Sequence, residues 1–140
     1  MQEPSDNISL KFNSFYVSKI YFDISSIAQE DVKPEATTNI STKIHIYNGK
    51  VEVVKLELVL LLNSKPFLQV DAMGEFEIIG EFTNDELKKH PLILYNSPAI
   101  IYPFLRSFIA TLTANLGYLT PIYLPIINFY NLPEPQVIFE

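Results

Sequence analysis

The 140-residue chain contains no cysteine, which excludes a disulfide framework and a thiolate metal site. Its four glycines are isolated, so no Gly-rich loop is present to cradle a phosphate. Basic residues are outnumbered, ten Lys and Arg against sixteen Asp and Glu. The resulting formal charge of −6 argues against nucleic-acid binding, which needs a basic stripe to release phosphate counterions. Histidine occurs twice, as His45 on an expected outer strand face and His90 at a helix end. No His, Asp and Glu cluster has metal-ligand spacing and no catalytic constellation appears, so the reading is not an enzyme and needs no cofactor. Residues 1–7 are polar and acidic, without the basic start and apolar core of a signal peptide. An unbroken apolar helix is also missing. Residues 91–133 carry one charge, Arg106, but Pro98, Pro103, Pro121 and Pro125 interrupt the run, so membrane insertion is not expected.

What the chain does have is apolar surface, with 48% hydrophobic residues including ten Phe and eight Tyr. Its length suits a single domain over 1–140, with 1–8 a flexible N-terminus and 133–140 an extended tail. The first half reads as strands. Over residues 10–24 the even positions Leu10, Phe12, Tyr16, Ile20, Phe22 and Ile24 are apolar, although Phe15, Val17 and Tyr21 break the alternation. Residues 25–37 read as a connecting loop. Thr38, Ile40, Thr42, Ile44 and Ile46 then alternate toward Asn48-Gly49, a type I′ hairpin signal. The return strand over 51–62 turns Val54, Leu56, Leu58, Leu60 and Leu62 inward. After a turn over 63–66, a fourth strand over 67–82 puts Leu68, Val70, Ala72, Phe76 and Ile78 on one side. Its other side carries Asp71, Glu75, Glu77 and Glu81, an acidic stripe that is a solvated face or a dock for a basic partner. Hairpin connections in succession imply an antiparallel sheet with one buried face.

Helices follow. Asn84 is placed to cap a short helix with acids in its first turn, which Pro91 ends. A longer helix is expected from a Ser97 cap with Pro98 at its first position, closed by Gly117 and kinked or loosened by Pro103. Ile101, Phe104, Leu105, Phe108 and Leu112 form its apolar stripe, and Ile100, Ile109 and Ala110 widen it almost around the helix. One sheet face does not cover that circumference, so these residues are expected to form an oligomer interface.

The segment Asn96-Ser97-Pro98-Ala99-Ile100-Ile101-Tyr102-Pro103-Phe104-Leu105-Arg106 resembles the cysteine-proline-asparagine-x-leucine-phenylalanine-proline-tyrosine-alanine-arginine segment of the SecB family of protein-export chaperones. Downstream, Gly117-Tyr118-Leu119-Thr120-Pro121 and Leu124-Pro125-Ile126-Ile127-Asn128-Phe129 look like the family's glycine-phenylalanine-proline and leucine-x-proline-x-asparagine-phenylalanine stretches. Weaker likenesses to the family's strands lie at 15–22, 51–54 and 74–78, so the resemblance covers about residues 10–132.

The resemblance implies an α+β fold, a four-stranded antiparallel sheet with helices on one face, forming dimers that pair into tetramers. The implied activity is to hold unfolded or precursor polypeptides in apolar grooves in the cytoplasm, without nucleotide or metal, and to deliver them to the SecA motor. Groove candidates are Phe12, Tyr16, Ile20, Ile27, Val32, Tyr118, Leu119 and Tyr123, although for each of them ordinary core packing is the more common role. The family's motor-docking face corresponds here to Asp23, Asp71, Glu75 and Glu77, while Lys19 and Gln69 replace acids. Eleven residues follow Phe129, with prolines at 133 and 135, so the family's last helix is expected to be short or missing. The alternatives are a dedicated chaperone of one partner, such as an antitoxin, or a structural domain reusing the fold.

Overall fold

The computed structural model describes residues 8–25, 36–116 and 121–140. Among these, five strands form one sheet in the order β1-β4-β3-β2-β5. The strands are β1 (Ser9–Phe22), β2 (Ala36–Tyr47), β3 (Val51–Leu62), β4 (Lys65–Ile79) and β5 (Gln136–Phe139). The first four pair antiparallel. The fifth, in the tail expected to be merely extended, adds in parallel beside β2, pairing Lys43 with Gln136 through Ile46 with Phe139. Pro133 and Pro135 lack an N–H, so the tail joins a ladder only beyond them. The sheet is therefore five-stranded, one strand more than the resemblance implies.

Local chemistry accounts for the turns. Asn48 and Gly49 both sit at positive φ, 55° and 66°, and Lys50 N–H donates to Tyr47 O at 3.0 Å. The next turn needs only Asn63 and Ser64, at φ 50° and 65°, because Leu62 already pairs with Lys65. In β3 every second residue from Glu52 to Leu62 is fully buried, the signature of a strand with one covered face. Strand β4 matches it with Leu68, Val70, Ala72, Phe76 and Ile78.

The imperfect alternation of β1 has a structural cause. Its register against β4 shifts between Phe12 and Ser14 and again between Val17 and Lys19. A residue opposite two others reverses the alternation, so Asn13 and Ser18 act as bulges that flip the phase and restore it. Leu10, Phe12, Phe15, Val17, Ile20 and Phe22 thus oppose the inward residues of β4 and share their face. Tyr16 opposes Met73 and lies on the other face. Phe15 and Val17, which looked misplaced, are the correctly oriented residues.

Helix α1 (Asn84–Lys89) starts from a Thr83 cap, one residue before the Asn84 expected, whose Oγ1 accepts from Glu86 N–H at 3.2 Å. A π-helical turn, Leu92–Asn96, then runs directly into α2 (Ser97–Asn115). Ser97 is therefore not the helix cap. Its N–H reaches back five residues to Leu92 O, and its buried side chain faces the sheet. The helix continues through Pro103, which lies on its exposed side with Ala99, the residue whose carbonyl Pro103 cannot bond. Gly117, the expected C-cap, lies outside the described residues.

Helix α2 crosses β4 and β3, burying Ile101, Leu105 and Ile109 fully against the sheet. The helix comes close to the sheet over Gly74, where a Cβ would run into Ile101 Cγ2. Full burial of a Leu or Ile side chain contributes about 1.5–3 kcal/mol, so these three anchor the helix to its own chain. The described helices include none long and apolar enough to cross a membrane.

Candidate functional site

Helix α2 leaves apolar ground on both flanks. On the β1 side, Phe104 stacks on Phe12 and on Phe15, with ring centroids 5.5 and 5.4 Å apart, and Phe12 meets Phe76 edge-on at 5.4 Å. This aromatic wall is half open, since Phe104 remains 46% exposed. Ile20 and Phe22 continue the same sheet face toward the end of β1, also partly exposed.

On the β2 side the proline-broken segment 121–132 forms a strap, extended up to Asn128 and closed by a 3-10 turn at Phe129–Asn131, and α2 holds it by its backbone. Tyr102 OH donates to Pro125 O at 2.6 Å and Arg106 Nε donates to Leu124 O at 3.1 Å. About two turns further, Thr113 Oγ1 accepts from Ile122 N–H at 2.8 Å while donating to Ile109 O at 2.7 Å. Tyr102, Arg106 and Thr113 recur at helical spacing, so a single stripe of α2 supplies these clamps. A segment with prolines at 121 and 125 has few donors of its own, and the helix side chains meet backbone groups that no ladder would satisfy. Asn128 closes the strap by accepting from Tyr130 N–H at 3.0 Å.

This pinning fixes which strap residues point outward. Leu124 and Phe129 are buried, Phe129 edge-on to Tyr102 at 5.6 Å. Burial pushes the Tyr102 hydroxyl above its usual range, opposed in part by the nearby Arg106 charge. Tyr123 and Ile126 face solvent at 77% and 87% exposure. Between strap and sheet lies a groove of about 460 Å³ lined by Thr38, Asn39, Ile40, Pro125, Ile127 and Leu132.

The expected groove residues therefore separate. Phe12 and Ile20 lie on the β1 flank, Tyr123 lies on the strap, and Tyr16 is on the opposite sheet face. Ile27, Val32, Tyr118 and Leu119 lie outside the described residues. Phe15 and Ile126 join the surface, and the phase break at Asn13 was the sequence signal for the first of them.

The expected oligomer stripe also divides. Ile101 and Leu105 are fully buried under α2 and unavailable to a partner, because they pack on the chain's own sheet. Phe104 and Ile100 are exposed, with Phe108 and Leu112 half-buried beside them.

The far face of the sheet is less acidic than its sequence suggests. Asp71 is buried, with Lys55 Nζ 3.7 Å from its Oδ2, and it lies across from Lys19 on β1 and Glu57 on β3. Glu57 takes Lys43 at 3.1 Å and Lys55 at 3.5 Å. Partial burial would raise the Glu57 carboxyl, but these two ammonium groups outweigh it and hold the group below its ordinary range. Glu75 is half-buried, and Glu77 and Asp23 are exposed. Asp23 sits apart at the end of β1, where its carboxylate accepts from Ser25 N–H at 2.9 Å and Ser25 Oγ at 2.6 Å. Glu81 falls beyond the end of β4. His45 Nδ1 lies 3.2 Å from Glu140 Oε1, and His90 Nδ1 accepts from Leu92 N–H at 3.2 Å. Among the described residues no group of three metal-ligating side chains converges.

The family profile of preprotein translocase subunit SecB matches residues 3–137. An uncharacterized protein of Methanocaldococcus jannaschii is 31% identical over 133 residues, 90% of this chain and 83% of that protein. The protein-export protein SecB of Paramagnetospirillum magneticum is 28% identical over 141 residues, 94% of this chain and 88% of that one. A solved structure of a Mycobacterium tuberculosis SecB-like chaperone, in complex with a peptide from an antitoxin, superposes with a TM-score of 0.63 at 14% identity. That match covers 84% of this chain and 90% of the other. Its fold agrees with the helix-on-sheet arrangement described above, and with the profile match over nearly the whole length it follows that the chain belongs to the SecB family.

Proposed function

We propose that this protein is an ATP-independent holding chaperone that keeps non-native polypeptides from aggregating. The observation that carries the proposal is the apolar surface beside α2, Phe12, Phe15 and Phe104 on one flank with Tyr123 and Ile126 on the other. A single folded chain gains nothing from leaving two strap side chains almost wholly in water. A client that covers them recovers about 25 cal/mol per Å² of apolar area, less the cost of its own ordering. Phe12, Ile20 and Tyr123 are the proposed client contacts, with the exposed Ile100 and the half-buried Phe108 and Leu112 available to a second copy in a dimer or tetramer. The proposed location is the cytoplasm.

Scattering from an aggregating, chemically unfolded substrate tests this. Up to equimolar protein should suppress aggregation without nucleotide. Failure with several unrelated substrates overturns the general-chaperone reading.

Service to one dedicated partner, such as an antitoxin, is the second reading. Two observations favour it over delivery to SecA. The outer face pairs Asp71 and Glu57 with its own lysines, which leaves less negative charge for a docking motor. The M. tuberculosis SecB-like chaperone of similar fold was captured with an antitoxin peptide.

A further inference from the structure

One buried acid has no part in the client surface. Glu52 opens the inward row of β3, fully buried, with Ile46 and Phe76 as its cross-strand neighbours. Its Oε2 lies 3.1 Å from Ser97 Oγ, and its Oε1 has no hydrogen-bond partner. Ser97 Oγ lies in turn 2.8 Å from Ile93 O.

A hydroxyl carries one proton and cannot donate to both oxygens at once. The π-helical turn decides where that proton goes. Ser97 N–H, the α-helical partner of Ile93 O, is spent on Leu92 O. The π-helical partner would be the N–H of residue 98, which is proline and has none. Ser97 Oγ–H is thus the donor left for a buried carbonyl, and leaving that carbonyl bare would cost about 1–3 kcal/mol. With the Ser97 proton committed, the contact to Glu52 is a hydrogen bond only if the carboxyl brings its own proton.

We propose that Glu52 is a neutral acid whose proton latches the π-helical turn and the start of α2 to β3, and that losing this proton releases the turn. The relay runs from Glu52 O–H to Ser97 Oγ and from Ser97 O–H to Ile93 O. Among the described residues no charged side chain pairs with it. Strands β2 and β4 present Ile46 and Phe76, and the titratable groups along the helical segment are engaged elsewhere, His90 with Leu92 N–H, Tyr95 stacked on Tyr130 and Tyr102 with Pro125 O. Burial pushes the Glu52 carboxyl up to about 8. The latch is therefore closed at neutral pH and opens above about pH 8. Because α2 carries Phe104 onto Phe12 and Phe15, opening the latch also disturbs the client wall, a consequence that rests on the holding function proposed above.

Infrared difference spectra of the wild-type protein, taken across the pH range around 8, test the latch directly. One protonated-carboxyl carbonyl band should disappear on raising the pH, and it should be missing at every pH in Glu52→Gln. Glutamine keeps a donor to Ser97 Oγ but does not titrate. Hydrogen exchange of the amides of residues 93–97 should accelerate about tenfold above the transition, relative to β3 amides, in wild type and not in Glu52→Gln. No band in the wild type, or the same acceleration in both proteins, overturns the proposal. If the variant fails to fold, the wild-type band alone decides. Aggregation suppression should fall above the transition only in the wild type. A protein that suppresses nothing at any pH sinks the holding function and leaves the infrared result standing.

Discussion

Arg106 donates from Nε to the carbonyl oxygen of Leu124 at 3.1 Å, tying the middle of α2 to a segment eighteen residues away in sequence. Prolines at 121 and 125 keep that segment out of any helix, so its position depends on such clamps. Arg106→Ala should therefore free the strap at a cost of about 1.5–3 kcal/mol, the range for a hydrogen bond from a charged donor. Urea unfolding reads the cost, and faster hydrogen exchange at Ile122 N–H shows where it acts. Lysine should restore little, because its ammonium lacks the fixed planar geometry of the guanidinium.

Gly74 is required by the approach of α2. Gly74→Ala should destabilise by about 1–3 kcal/mol through overpacking against Ile101. Ile101→Ala alone should cost about 2–5 kcal/mol. The double variant should cost clearly less than the sum, since each change relieves the other. Additivity of the two would mean that α2 does not sit on Gly74.

The two outward strap residues separate client binding from stability. Tyr123→Ser with Ile126→Ser should weaken aggregation suppression several-fold, because both side chains lie in solvent and hold nothing in the fold. The unfolding free energy should change by no more than about 0.5 kcal/mol, the usual range for exposed positions. Ile101→Ala should show the reverse, a loss of stability larger than any specific loss of binding.

Glu52 predicts a pH profile with a definite sign. Its folded-state pKa, about 8, lies above the ordinary 4.5, so the native state holds a proton that the unfolded chain releases. This contribution to stability is fully present below pH 4.5, declines between 4.5 and about 8, and levels off above. The slope is at most about 1.4 kcal/mol per pH unit, one proton's worth. Denaturant titrations at several pH values should show this decline in wild type and a flatter profile in Glu52→Gln.

On the outer face, Glu75→Lys with Glu77→Lys should weaken a basic partner without loss of fold. Asp71→Lys should instead destabilise, because it puts a second ammonium beside Lys55 at a buried position. Partner binding that survives the Glu75 and Glu77 reversals makes the stripe a plain solvated surface. Binding assays at low and raised salt check the electrostatic origin.

Strands β2, β3 and β4 were legible because alternation and turn chemistry agree there. Asn48-Gly49 adopts its turn from local backbone preference alone, and the inward leucines of β3 follow from a period of two. In β1 the alternation was visible and its interruptions were not explained. A bulge is defined by the partner strand, so Phe15 and Val17 could be assigned only once β1 was paired with β4. The same holds for β5, four residues whose strand character depends on lying beside β2.

Local preferences and the motif around Pro103 and Arg106 thus determined the α+β class, the family and the central antiparallel pairing. Tertiary packing decided the rest. The apolar girth of α2 showed how much surface needed cover, but a helix sequence does not say which side meets its own sheet. The contact at Gly74 turned Ile101 and Leu105 inward and left Phe104 outside. Ser97 read as a helix cap until the π-helical turn drew its N–H to Leu92 and its hydroxyl to the buried side. Glu52 looked like one acid among sixteen, and only its place beneath α2, away from water, makes it one that keeps its proton.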